Sequence, residues 1–115
     1  MPDHAALLAL AVTAAKAAGT ELAARKEAFQ GIALTDGRDI KLNADRAAEA
    51  LILSILRDGA DIDILAEESG LHGTPDGLLW AVDPLDGAEN YIRHSPNCGV
   101  SIALLNDGEP ILGVI

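Results

Sequence analysis

The sequence has 115 residues, enough for one domain with a single core, and half of it is hydrophobic, which argues against intrinsic disorder. Eighteen acidic and eight basic residues give a formal charge of −10, which disfavours nucleic acid and anionic membrane surfaces as partners. The single cysteine excludes an internal disulfide and a zinc site built from paired cysteines, and it indicates a cytoplasmic protein.

The first half of the sequence predicts two helices. Asp3 is a good N-cap residue, and an alanine-rich helix is expected to run from it towards Phe29. After a polar break at residues 35–39, a second helix is predicted to start near Asn43 and to end before Gly59. No stretch is expected to reach the length of a membrane-spanning helix. The predicted buried faces comprise Leu8, Val12, Ala15, Gly19 and Leu22 in the first helix, and Ala48, Leu51, Ile52 and Ile55 in the second.

The second half has the period and composition of strands. A loop rich in glycine is expected at residues 70–77, and Asn106-Asp107-Gly108 is typical of a hairpin turn. Helices followed by strands indicate a layered α+β arrangement, with two helices on a mostly antiparallel sheet. The predicted strands are Asp63–Ala66, Leu78–Val82, Gly99–Leu105 and Ile111–Ile115.

Three carboxylates fall at or just after predicted strand ends: Glu67, Asp83 and Asp86. Carboxylates at neighbouring strand ends can converge, and magnesium prefers such oxygen ligands. Gly87 permits a tight turn, after which a short helix could direct free N–H groups at a phosphate. Metal carboxylates beside an anion-binding helix start are what metal-assisted hydrolysis of a phosphate ester needs.

Each of these residues also has an ordinary structural interpretation. Asp83 followed by proline could simply end a strand, and Glu67 with Glu68 could be a solvated pair. Asp45, near the predicted start of the second helix, would complement the helix dipole in any case. Trp80 is expected in the core. Structural or surface positions without chemistry are expected for His4, His72, His94 and Cys98.

The segment 80–91, Trp-Ala-Val-Asp-Pro-Leu-Asp-Gly-Ala-Glu-Asn-Tyr, resembles the signature of the inositol monophosphatase family, whose relatives include fructose-1,6-bisphosphatases and bisphosphate nucleotidases. The segments 64–70 and 100–115 support the resemblance, and Asp45-Arg-Ala-Ala-Glu49 is similar to the family's second helix. The resemblance implies a sandwich of αβαβα type. Residues 1–115 would form a single partial domain, the N-terminal metal-binding half of such a phosphatase.

The resemblance also implies an activity: magnesium-dependent hydrolysis of a phosphate monoester of inositol or a related sugar by metal-activated water. The partner would be a small phosphate ester, with no nucleic acid and no membrane, and a homodimer is left open. The resemblance assigns metal binding to Glu67, Asp83, Asp86 and the carbonyl of Leu85, phosphate binding to the N–H groups of Gly87 and Ala88, support of the metal ligands to Glu68, and orientation or deprotonation of water to Asp45.

Two departures from the family pattern keep other interpretations open. The family usually has threonine or serine where this chain has Ala88, so a hydroxyl that orients water is missing. Family members are also considerably longer, and their second half supplies a further aspartate and much of the substrate pocket. The alternatives are a member that binds metal and phosphate without turnover, an incomplete fragment, or a relative of the 3'(2'),5'-bisphosphate nucleotidases or fructose-1,6-bisphosphatases.

Overall fold

The computed structural model describes residues 3–28, 37–67, 69–73, 76–87, 91 and 98–115. Two helices lead into one five-stranded sheet, and both pack on the same side of it. The elements are α1 (His4–Ala28), α2 (Gly37–Gly59), β1 (Asp63–Ala66), β2 (Gly70–His72), β3 (Leu78–Asp86), β4 (Gly99–Asn106) and β5 (Glu109–Val114).

The first helix begins where the sequence predicts. Oδ1 of Asp3 accepts the N–H of Ala5 at 3.0 Å, which caps one of the free amides of the first turn. The predicted buried face of α1 is confirmed for Leu22 and was wrong for Leu8, which is 42% exposed, and for Gly19, which is also exposed. Val12 and Ala15 are only partly buried. Alanine lies on every side of this helix, so hydrophobic period alone does not select a face. The buried face comprises Leu7, Ala11, Ala14, Ala18 and Leu22, which are 0–6% exposed.

By length and composition alone, α1 could cross a membrane over His4–Arg25, where the mean hydropathy is 1.4. The prediction that no stretch reaches that length was therefore wrong. A core helix passes the same test, and α1 packs against α2, β4 and β5 through its buried face.

The second helix begins earlier than predicted, at Gly37 rather than near Asn43. The expected polar break was therefore wrong for residues 37–39, which are helical. Ala48 and Ile52 are fully buried as predicted, whereas Leu51 and Ile55 are only partly buried. Because α2 is amphipathic, its apolar side packs on α1 and β3.

The sheet has the order β2-β1-β3-β4-β5. β1 and β3 are parallel, and the other three pairings are antiparallel, so the prediction of two helices on a mostly antiparallel sheet is confirmed. Asp107 and Gly108 both have positive φ, at 50° and 84°, and form the predicted hairpin turn between β4 and β5. β2 was missed, because it is short and lies in a segment rich in glycine.

Strand alternation separates the two faces of the sheet. Ile64, Trp80, Val82, Ile102 and Leu104 point at the helices and belong to the core, which confirms the buried position predicted for Trp80. The side away from the helices, here called the open face, bears no helix among the described residues. It carries Leu65, Glu67, Ala81, Asp83, Ser101 and Ala103, which line a common cavity.

Candidate metal centre

Two of the predicted ligands lie at the same end of the parallel strand pair. Ala66 is opposite Val82 in the register of β1 and β3. The N–H of Glu67 donates to the carbonyl of Val82 at 3.1 Å, which extends the pairing one residue past the end of β1. Glu67 and Asp83 therefore leave neighbouring strands side by side.

Both carboxylates line one cavity of about 530 Å³ on the open face. Ser101 of β4 is directly opposite Asp83 in the antiparallel register and lines the same cavity. The site at this end of the sheet thus combines two carboxylates with one hydroxyl, all oxygen donors.

The third predicted ligand reaches the open face through a β-bulge. In a regular strand, residues three apart point to opposite faces, so Asp83 and Asp86 would diverge. Asp83 pairs with Ser101 and Asp86 with Gly99, so three steps on β3 match two on β4. Leu85 therefore points into the core at 5% exposure, and Asp86 is exposed on the same side as Asp83.

The bulge is stabilised locally and leads into a second cavity. Oδ1 of Asp83 accepts the N–H of Leu85 at 3.2 Å, an Asx turn across Pro84. Asp86 and Gly87 line a cavity of about 240 Å³ that shares Ser101 with the Glu67–Asp83 cavity. The two cavities therefore meet at Ser101.

Gly87 follows the bulge. Its φ is +81°, a conformation that favours glycine, and its carbonyl accepts the N–H of Tyr91 at 3.1 Å. The short helix predicted after Gly87 stays a prediction, because residues 88–90 lie outside the described residues. Ala88, the second residue predicted to bind phosphate, lies outside the described residues, as does Glu68.

Tyr91 anchors the chain after the bulge on α1. Its side chain is 1% exposed, and its hydroxyl donates to the carbonyl of Leu22 at 2.6 Å. Burial raises the pKa of Tyr91 to about 12, opposed by the nearby Arg25 guanidinium and reinforced by the carboxylates of Glu21 and Asp45 among others.

Asp45 is buried, at 5% exposure, more than two turns into α2. The interpretation that placed it in the first turn of the helix, beside the helix dipole, was wrong because α2 begins at Gly37. Glu49 follows one turn later on the same buried face, at 6% exposure. α2 thus brings two carboxylates inside the fold.

The sequence profile of the inositol monophosphatase family matches residues 3–115.

The chain belongs to the inositol monophosphatase family.

Its relatives include an inositol-1-monophosphatase of Synechocystis, 44% identical over 112 residues that cover 94% of this chain and 39% of the relative. "Nus factor SuhB" of Salmonella typhimurium is 36% identical over 95% of this chain and 42% of its own length. The crystal structure of the extragenic suppressor protein SuhB from Bartonella henselae matches with a TM-score of 0.80 at 34% identity, over 96% of this chain and 43% of that one. The chain thus spans about two fifths of the length of these family members.

Oxygen donors of this kind suit a hard divalent cation such as magnesium, which the family resemblance implies. Glu67, Asp83 and the carbonyl-rich bulge are chemically consistent with that ion. Within the described part of the chain, however, no group of three or more acidic, histidine or cysteine side chains is close enough to hold a metal. The full set of ligands therefore stays a prediction, with Glu67 and Asp83 as its best-placed pair.

Sequence reasoning gave no role to three residues that the fold places near the family signature. Glu49 could have been found from its spacing of four residues after Asp45 on an apolar helix face. Tyr91 was quoted as part of the signature, but its bond to α1 joins residues 69 positions apart, which no local pattern indicates. His72 was interpreted as a surface residue; it is half-buried and makes two side-chain hydrogen bonds that are solvent-exposed.

A mostly apolar cavity of about 510 Å³, similar in size to the Glu67–Asp83 cavity, lies between α1 and the end of the sheet at β4 and β5. Its lining includes Val12, Leu22 and Val114, and none of the predicted metal carboxylates. Acid–base or metal chemistry needs polar side chains, so the candidate site remains at the Glu67–Asp83 cavity.

Proposed function

We propose that this chain takes part in the magnesium-dependent hydrolysis of a phosphate monoester of inositol or a related sugar. The observation that carries the proposal is the side-by-side exit of Glu67 and Asp83 from parallel strands into one cavity. Membership of the inositol monophosphatase family supports the same chemistry. The cytoplasm is the proposed compartment.

Glu67, Asp83 and Asp86, with the carbonyl of Leu85, would hold magnesium. When bound, the ion supplies a positive charge that draws electrons from phosphorus and acidifies water. The N–H groups after Asp86 would bind phosphate oxygens at the start of the Gly87–Tyr91 turn. In the reaction, water oxygen bonds to phosphorus, the ester P–O bond breaks, and the alcohol leaves with a proton.

Asp45 is the residue proposed to take the proton from water. A carboxylate that is almost fully buried is exposed to less solvent screening than one on the surface. The substituent at Ala88 cannot assist, because alanine has no hydroxyl.

The first prediction concerns cation binding by the chain itself. Terbium, a hard cation that luminesces when energy reaches it from tryptophan, would report on the site through Trp80. This single tryptophan lies three residues before Asp83 in β3, roughly 10 Å along the strand. We expect saturable luminescence that magnesium displaces, and a loss of affinity of at least about tenfold in Asp83→Asn.

Asp58→Asn is the matched control, since Asp58 is an exposed carboxylate at the C-terminal end of α2. Equal terbium affinities for Asp83→Asn and the unmodified chain would contradict a metal centre at Asp83. Phosphate release from inositol monophosphate, with and without magnesium, completes the test. Cation binding without any turnover would favour the non-catalytic alternative.

A protein-binding role is a second candidate function. Several relatives carry the name "Nus factor SuhB", a name for a factor rather than an enzyme. With a charge of −10, this chain would attract a basic partner and repel RNA directly. A chain that binds no cation, yet elutes with a basic protein partner at low ionic strength, would support this candidate over the phosphatase.

A further inference from the structure

A relay of side-chain hydrogen bonds joins α2 to the turn between β1 and β2. The guanidinium of Arg57, in the last turn of α2, lies 3.0 Å from Nδ1 of His72 in β2. Nε2 of the same imidazole lies 2.6 Å from Oγ of Ser69, in the turn itself. One ring therefore connects a helix end with a hairpin turn.

The chemistry of the three groups fixes the direction of both bonds. Arginine can only donate, so Nδ1 of His72 must accept from Arg57. The neutral ring then carries its proton on Nε2 and donates it to Oγ of Ser69. This is the reverse of the arrangement in which a histidine takes a serine proton, so Ser69 is not an activated nucleophile.

The relay acts on the turn that carries Glu67. Ala66 and Gly70 are the last paired residues of the β1–β2 hairpin, so Glu67 and Ser69 are the first and last residues of the turn. Glu67 is held at its N–H by Val82, and Ser69 is held at its hydroxyl by His72. Both ends of the turn are thereby tied to the rest of the fold.

Backbone pairing alone would hold this turn weakly. β2 has three residues and is an edge strand, and so short a ladder contributes little by itself. The relay reaches past the ladder to α2, whose residues Ile52 and Leu56 are fully buried. The two solvent-exposed bonds of the relay thus connect the hairpin to the end of a well-packed helix.

Acidic groups surround the Arg57 end of the relay. Asp61 and Asp63 line a cavity of about 370 Å³ together with Arg57 and His72. The carboxylate of Asp63 lies where a side chain on Gly73 would be, so this position admits only glycine.

We propose that His72 is a positioning residue for the candidate metal centre, fixing the turn so that Glu67 faces Asp83. This inference rests on the proposed function. His72 would touch neither cation nor substrate. Supporting residues of this kind typically change metal affinity by about tenfold to a hundredfold when replaced.

The test compares terbium affinity among variants of the chain. His72→Phe keeps a ring and removes both hydrogen bonds, and Ser69→Ala removes the accepting oxygen. Each is expected to weaken binding by about tenfold. His72→Gln keeps one acceptor and one donor, so it should restore most of the affinity. The double variant His72→Phe with Ser69→Ala should bind no more weakly than either alone, because both changes break one relay.

His4→Phe is the matched control, because His4 is an exposed histidine at the start of α1. Thermal unfolding identifies variants that bind less terbium only because they are less folded. If His72→Phe does not fold, the terbium affinity of Ser69→Ala tests the inference. Binding lost in Asp83→Asn but unchanged in both relay variants would overturn this inference alone. No saturable binding by the unmodified chain would overturn the proposed function, and this inference with it.

Discussion

Tyr91 joins the end of β3 to α1. Its amide donates to the carbonyl of Gly87, and its hydroxyl donates to the carbonyl of Leu22 in α1. The residue is the single tyrosine of the chain and is almost fully buried. It therefore holds the proposed phosphate-binding turn against the helical layer.

The raised pKa of Tyr91 predicts a loss of stability in alkali. The folded pKa, about 12, lies above the ordinary value of 10.0, so the protonated phenol stabilises the fold fully below pH 10. That contribution, on the order of 2 kcal/mol, is lost as the pH rises through 12. We expect denaturant unfolding to show this loss in the unmodified chain.

Tyr91→Phe is the control for that experiment. At neutral pH it should lower the free energy of unfolding by about 1 kcal/mol, because the Leu22 carbonyl loses its partner. Between pH 10 and pH 12 it should lack the tyrosine-dependent decline. Tyrosinate absorbance that rises near pH 10 in the folded chain would contradict the assignment.

Among the elements, the sequence predicts best where one local signal dominates. The N-cap at Asp3 and the turn at Asp107-Gly108 are confirmed because side-chain chemistry and positive φ act locally. The buried face of α1 was partly wrong because alanine surrounds the helix, and packing against α2 and the sheet decides which alanines are buried. Local pattern carries no information about a partner that is distant in the chain.

The end of β3 shows the same limit. Asp83 followed by proline predicted a strand that stops at Val82, yet the strand continues to Asp86. Proline is tolerated at a bulge, where a ladder hydrogen bond is missing already. The residue types of the candidate site, and the closeness of Glu67 and Asp83, could be predicted from the sequence. The relay at His72 could not, since it depends on tertiary contact with Arg57.

Alanine substitutions at two glycines should change the stability of the fold in opposite directions. Gly87→Ala should lower the free energy of unfolding by about 1–2 kcal/mol, because alanine at φ +81° is strained. Gly19→Ala should instead raise it by roughly 0.5–1 kcal/mol, since Gly19 is inside α1 and nothing lies within 4 Å of an added methyl group. Chemical denaturation measures the free energy of unfolding of both variants. Equal changes in that free energy would contradict the difference in backbone conformation between Gly87 and Gly19.

For the whole molecule, charge is the dominant property. With a formal charge of −10 on 115 residues, the excess acidic side chains repel one another. Glu67 and Asp83 add to this repulsion because both line one cavity. The chain spans about two fifths of the length of its curated relatives, and the candidate site rests on this chain's own carboxylates. Cations should therefore stabilise this chain in two distinguishable ways.

A thermal unfolding experiment distinguishes general screening of the negative charges from binding of a cation at the candidate site. Raising sodium chloride from about 10 mM to about 150 mM should increase the unfolding temperature by a few degrees, since the Debye length falls to about 8 Å. Magnesium chloride at equal ionic strength should increase it further by binding the folded state. In Asp83→Asn the two salts should act alike, and a persistent excess for magnesium would show that the ion binds elsewhere.

The bulge in β3 also affects how this segment is compared across sequences. Asp83 and Asp86 share a side of the sheet because the bulge lets three steps on β3 match two on β4. A homologue that lost one of the two residues between them could pair this segment as a regular strand, and its aspartates, then two apart, would still face the same side. A one-residue gap between these aspartates in an alignment is therefore compatible with the candidate site, whereas a two-residue gap would turn one aspartate towards the core.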